Sequence, residues 1–188
     1  MIPVRKEIRY DGGTFYRTHV QKVARWAERL AGPHLDAEDI VHEVFMIAYD
    51  RMATFRGDSS VQTWLFGITD KVVRHRRRKE RWRRWLGGSA DETAGHLPSP
   101  ARDPLGALES RRTVARVYAI LNRLRERDRQ ILILCELEEL GADEVGQLLG
   151  IAPGNARLRL HRARSRFARV YQELEPEEAP GRTIHVLR

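Results

Sequence analysis

Apolar residues recur along this chain at helical spacing, with no strong strand-like alternation and no internal repeat. Residues 15–30 form a first predicted helix, closed by Gly32 and Pro33. A second starts after Asp36, a good N-cap, with Glu38 and Asp39 placed favourably against the helix dipole. On it Ile40, Val44, Ile47 and Ala48 make one stripe, and Val41, Phe45 and Tyr49 an adjoining one, so packing through a wide face is expected. A third begins near Ser59 or Ser60, where Val61, Trp64, Leu65, Ile68 and Val72 line one face before an arginine block takes over. Further helices are predicted over 108–124, 128–137 and 142–149. Gly150-Ile151-Ala152 then turns the chain, and Pro153 opens a last helix to about Tyr171. A short helix, a tight glycine turn and an arginine-rich helix make a helix-turn-helix pattern.

Between the two sets of helices, GGSADETAGHLPSPARDPLG at 87–106 has no periodicity, and a flexible linker is expected over 87–107. The expected fold is all-α, with two small helical domains at 10–86 and 108–174 and a frayed tail at 175–188 carrying Pro176 and Pro180. A length of 188 residues with 41% hydrophobic content suits two modest cores rather than one large one. The lone Cys135 cannot form an internal disulfide, which points to a reducing compartment. No apolar run approaches the roughly 20 residues of a membrane span, and the N-terminus lacks a signal-peptide pattern. A cytoplasmic protein without membrane insertion is expected.

Charge sharpens the picture because it is uneven. The net charge is +8, and nine of the 34 lysines and arginines fall between Lys71 and Arg84, against Glu80 alone. A second block, Arg157, Arg159, Arg162, Arg164, Arg166 and Arg169, meets no acid until Glu173. Two basic stretches in a small protein imply a polyanionic partner. Acid gathers instead around 36–43 and 136–144.

Candidate chemistry is sparse. His42-Glu43 begins like a zinc-protease helix, but Phe45 and Met46 stand where the second histidine belongs. Glu38, Asp39 and Glu43 could bind magnesium, although an acidic helix start explains them more simply. There is no glycine-rich phosphate loop and no Gly-x-Ser-x-Gly elbow, so neither catalysis, metal nor cofactor is expected. In the last helix, Asn155, Ala156, Arg157 and Arg159 lie where helix-turn-helix proteins reach base edges. Arg162, Arg164 and Arg166 lie further along, where phosphates are met. Trp82 and Trp85, set among arginines, either stack on unpaired bases or cover an apolar neighbour. Trp64 belongs to an apolar stripe and is expected in the core.

These segments together carry a resemblance. DAEDIVHEVF at 36–45, ATFRGDSSVQTWLFGI at 53–68 and the arginine run are similar to region 2 of bacterial sigma factors. RERDRQILILCELEELGADEVGQLLGIAPGNARLRLHRAR at 125–164 resembles region 4. Both, in this order and without an intervening region, resemble the extracytoplasmic-function (ECF) group of the sigma-70 family over most of 12–172.

The resemblance implies a promoter-specificity subunit that binds core RNA polymerase through the beta-prime clamp helices and the beta flap. Asp36, Glu38, Asp39, Val41, Glu43 and Phe45 match its polymerase-binding segment. Arg56, Gly57, Asp58, Ser59, Ser60 and Gln62 match the loop that captures a flipped base of the minus-ten element, with Lys71, Arg74, Arg77 and Arg78 following on the basic helix. Pro153, Gly154, Asn155, Ala156, Arg157 and Arg159 match the start of the helix that reads the minus-thirty-five element, with Arg162 and Arg164 beyond. An anti-sigma protein is a further expected partner.

The chain departs from the family pattern at His42, at Thr69-Asp70-Lys71, at Arg125, and at Ala152, Asn155 and Leu158, which points to an unusual promoter sequence. Two rival readings make distinct predictions. A stand-alone helix-turn-helix regulator would dimerise on two half-sites, and a metal-dependent nuclease would cleave DNA by itself.

Overall fold

The computed structural model describes residues 11–86 and 104–174, and these are helical throughout their ordered elements. Most of the expected linker and the whole expected tail lie outside the described residues.

Three helices build the first half: α1 (Gly12–Ala31), α2 (Ala37–Met52) and α3 (Val61–Trp85). Each begins on a side chain that accepts backbone N–H groups left unpaired at a helix start. Asp11 accepts from the Thr14 N–H at 3.1 Å and Asp36 from those of Glu38 and Asp39 at 2.8 and 3.2 Å. Ser60 accepts from the Thr63 N–H at 3.1 Å. The three helices pack on one another around Phe15, Trp26, Ile40, Val44, Phe45, Leu65 and Phe66, all buried. Trp26 meets Phe66 edge to face at 5.2 Å between ring centres, a favoured aromatic arrangement. Trp64 is only partly buried and packs against Phe55 at 4.9 Å.

The second half comprises α4 (Pro104–Arg123), α5 (Glu126–Leu132), α6 (Ala142–Leu149) and α7 (Pro153–Leu174). Helix α4 starts earlier than its apolar pattern predicts, because Pro104 fits a first turn, where its missing N–H costs nothing. Helix α5 widens into a π-helical stretch, Ile133–Leu137, an irregularity that periodicity did not announce. It ends with the Glu138 N–H on the Ile133 carbonyl at 3.0 Å, followed by Glu139 at φ 54°.

The helix-turn-helix depends on two glycines. Gly150 closes α6 in the left-handed conformation, at φ 65°. Gly146 lies so close to the turn that a Cβ there would stand 2.7 Å from the Ile151 carbonyl oxygen. Helices α4, α5 and α6 all rest on α7.

The halves are joined through polar side chains. Arg129 of α5, 1% exposed, donates to the Leu30 carbonyl at the end of α1 at 2.6 Å and to Asn122 Oδ1 at 3.0 Å. Tyr118 donates its hydroxyl to the Arg29 carbonyl at 2.9 Å. Gln130 donates to Asp70 at 2.7 Å, and Arg25 and Arg29 approach the buried Glu138 carboxylate at 3.1 and 3.7 Å. Helix α6 lies against α3.

Candidate nucleic-acid interface

The loop before α3 is fully offered to solvent. Arg56, Gly57, Asp58, Ser59, Ser60 and Gln62 are all exposed, while Phe55 on Trp64 anchors the loop to the helix. Gln62 is held from α1, its Oε1 accepting from Lys22 Nζ at 3.1 Å.

Beyond the loop, the exposed side of α3 is cationic. Lys71, Arg74, His75, Arg78 and Arg81 line an open groove of about 510 Å³, closed on its far side by Glu126 of α5. Arg74 also holds Asp70 at 2.8 Å. Arg77, expected among the minus-ten contacts, turns the other way. It donates to Asn122 Oδ1 at 3.1 Å and reaches the Leu30 carbonyl at 3.5 Å, and burial holds its pKa below the ordinary arginine value. Its position on the helix points it at the second half, so here it serves the contact between halves. Arg76 points toward α2 and donates to Glu43 Oε2 at 2.8 and 2.6 Å.

On α2 the acidic segment divides by helical position. Glu38 and Asp39 are exposed beside His42 and Met46, Asp36 caps the helix, and Glu43 is half-covered by Arg76. Val41 and Phe45 are buried in the three-helix core, so they cannot present a contact surface. Their stripe was legible as apolar, and burial claims it.

Helix α7 carries both exposed side chains and arginines held by its neighbours. Pro153, Gly154, Asn155 and Arg157 are exposed at its start, with Leu158 beside them and Arg162 one turn on. Ala156 is buried where α7 packs under the turn, so it cannot meet a base. Arg159 donates twice to the Arg127 carbonyl, at 3.1 and 2.8 Å, and burial lowers its pKa. Arg164 donates to Glu136 at 2.7 Å. Arg166, expected on phosphate, instead forms a two-pronged pair with the buried Asp128 at 2.8 and 2.9 Å. These three arginines hold α7 to α5 and its π-helical extension, which present Asp128, Glu136 and the Arg127 carbonyl to them.

Sequence reasoning passed over Arg129, Tyr118, Gln130 and Glu138, which make the contact between halves. Only the placement of an arginine inside the apolar run of α5 could have signalled it. Burial first, and Arg77 second, push the Arg129 guanidinium down to about 9, so it remains charged at neutral pH. Burial first, and Glu136 second, push the Cys135 thiol up to about 11, which leaves it protonated and unreactive near neutrality. Among the described residues no group of three His, Cys, Asp or Glu side chains is placed to hold a metal ion. None of the described helices is long and apolar enough to cross a membrane.

A three-helix unit with an exposed loop and a cationic helix, followed by a helix-turn-helix, is the architecture of a promoter-recognition factor. Comparison with known proteins agrees half by half. Residues 15–83 match the Sigma-70 region 2 family and residues 115–167 the Sigma-70 region 4 family. The RNA polymerase sigma factor NccH of Alcaligenes xylosoxydans xylosoxydans is 28% identical over 163 residues, covering 87% of this chain and 88% of that protein. The ECF sigma factor SigE of Mycolicibacterium smegmatis is 30% identical over 152 residues, covering 80% of this chain and 58% of its own length. Among solved structures, CnrH in complex with the cytosolic domain of CnrY superposes with a TM-score of 0.58 at 21% identity, over 89% of each chain. RpoE from Bartonella quintana, bound to the anti-sigma factor NepR, gives 0.55 at 22% identity, over 90% of this chain and 99% of that one.

The chain belongs to the sigma-70 family, in its ECF group. It is a promoter-specificity subunit, the component that binds core RNA polymerase and directs initiation to particular promoters.

Proposed function

We propose that the two exposed faces divide promoter recognition between them. The loop 56–62 receives an unpaired base of the minus-ten element, and Lys71, Arg74 and Arg78 hold the adjoining phosphates. Unstacking a base costs a few kcal/mol, so an open loop followed directly by cations suits that task. Asn155 and Arg157 read base edges of the minus-thirty-five element, and Arg162 grips its backbone. Glu38 and Asp39, with His42 and Met46 beside them, form the surface on α2 that meets polymerase. The chain works in the cytoplasm without catalysis of its own, and polymerase supplies the chemistry.

One observation carries this reading: exposed cations line one side of α3 and stand at the start of α7, and each of these helices is preceded by a shaped turn. Two neighbours in fold are bound to CnrY and NepR, which supports an anti-sigma protein as a third partner here. The test is run-off transcription with core polymerase and this chain on a library of promoters. Initiation from a defined subset is expected, and initiation indifferent to promoter sequence, or none beyond core polymerase alone, would refute the assignment. A dimer binding duplex DNA tightly without polymerase would restore the stand-alone regulator.

A further inference from the structure

Two large aromatic side chains stand in water at the end of α3. Trp82 is 63% exposed and Trp85 76%, although their rings lie 5.4 Å apart and touch each other. Among the described residues neither belongs to the apolar core or packs against it.

Their position on the helix is informative. At about 100° per residue, Lys71, Arg74, His75, Arg78, Trp82 and Trp85 all fall within roughly one third of the circumference. The cationic groove along α3 therefore runs straight onto the two indoles, some 21 Å from Lys71 at about 1.5 Å per residue. Arg81, Arg83 and Arg84 surround the pair, all exposed. A stripe of spaced cations ending in accessible rings offers a polyanion both charge neutralisation and a face for stacking. An anionic membrane also attracts tryptophan and arginine. It would require a continuous apolar face, however, and the apolar face of α3, with Leu65, Phe66, Val72 and Val73, is buried in the core.

We propose that Trp82 and Trp85 form a stacking platform for unpaired bases of a DNA strand whose phosphates lie along Lys71, Arg74 and Arg78. The inference rests on the reading of α3 as the minus-ten helix, and extends that contact beyond the cations to the helix end.

The test measures binding of the full chain to a fluorescein-labelled mixed-sequence 20-nucleotide single strand at several salt concentrations. Trp82→Ala with Trp85→Ala should weaken binding about tenfold or more while leaving the slope against salt unchanged, since stacking releases no counterions. Trp82→Phe with Trp85→Phe should recover most of the loss. Arg74→Ala with Arg78→Ala should instead lower the slope. Unchanged binding by the alanine pair, with the arginine pair still impaired, overturns the platform and leaves the minus-ten reading standing. If the arginine pair changes nothing, both fall together. If the alanine pair loses only its attachment to phosphatidylglycerol vesicles, the surface is a lipid one and the proposal is wrong.

Discussion

The Arg129 guanidinium closes the last turn of α1, donating to the Leu30 carbonyl at 2.6 Å across a sequence separation of 99 residues. A carbonyl at a helix C-terminus carries partial negative charge and lacks an intrahelical partner, so a buried cation suits it. Asn122 accepts from the same side chain and from Arg77, which ties α3, α4 and α5 to one point. Arg129→Ala should cost about 3 kcal/mol, since charge-assisted hydrogen bonds are lost and the accepting groups stay buried. Urea denaturation would show a lower midpoint, and an unchanged midpoint would mean that Arg129 is dispensable.

Arg166 and Arg162 should behave differently although both belong to the basic block of α7. Arg166→Ala leaves the Asp128 carboxylate, 6% exposed, without its partner, and a broken buried pair costs about 3 kcal/mol or more. Arg162→Ala should leave stability within about 0.5 kcal/mol of the parent, and lower the salt slope of promoter binding by about one. Thermal denaturation together with a salt titration of each mutant holoenzyme separates the two.

For Arg157 a sequence-dependent effect is expected. Its side chain is free to leave its loose 3.8 Å approach to Asp143 and enter a groove. Arg157→Ala should cost about 1–3 kcal/mol at one base pair of the minus-thirty-five element and little elsewhere. A base-by-base promoter scan measures this. A uniform loss would make Arg157 a phosphate contact.

Charge reversal on α2 tests the polymerase surface. Glu38→Lys with Asp39→Lys should weaken holoenzyme assembly while circular dichroism of the free chain stays unchanged, because both side chains are exposed. Glu43→Lys is a poorer probe, since Glu43 is half-covered and holds Arg76 at 2.6 Å, whereas the more exposed Asp39 approaches it only at 3.5 Å. Competition for core polymerase against a reference sigma factor gives the readout, and equal affinity would move the surface elsewhere.

Glu138 gives stability a pH dependence of definite sign. Burial, its largest influence, raises its pKa above the usual 4.5, and Arg25 and Arg29 only partly oppose this. The folded chain therefore holds the proton more readily than the unfolded one. Its contribution is full below about 4.5 and is lost as pH rises through the folded value. Glu138→Gln should remove this dependence, so its urea midpoint should gain on the parent between pH 4 and pH 7. Parallel curves would show that Glu138 titrates normally.

Much of the architecture was legible because α1, α2 and α6 are short amphipathic segments with clear starts and stops. Asp36, Ser60, Gly150 and Pro153 each mark a boundary by a local rule that tertiary contacts do not override. What sequence could not yield was the direction of each arginine. Arg74 and Arg78 share the open face of α3, whereas Arg76 and Arg77 turn to partners on α2, α1 and α4, remote in sequence. The same holds on α7, where Arg157 only approaches Asp143 loosely but Arg159, Arg164 and Arg166 are held by close hydrogen bonds. Helical period predicts a face, and only the neighbouring helices determine whether that face meets solvent.

The seam between the halves carries hydrogen bonds and ion pairs from Arg129, Tyr118, Gln130, Glu138 and Arg77. Water can replace such partners at modest net cost, whereas separated apolar faces would stick to other chains. A single apolar cluster also runs through both halves, so the polar contacts orient the two units while burial of apolar surface resists their separation.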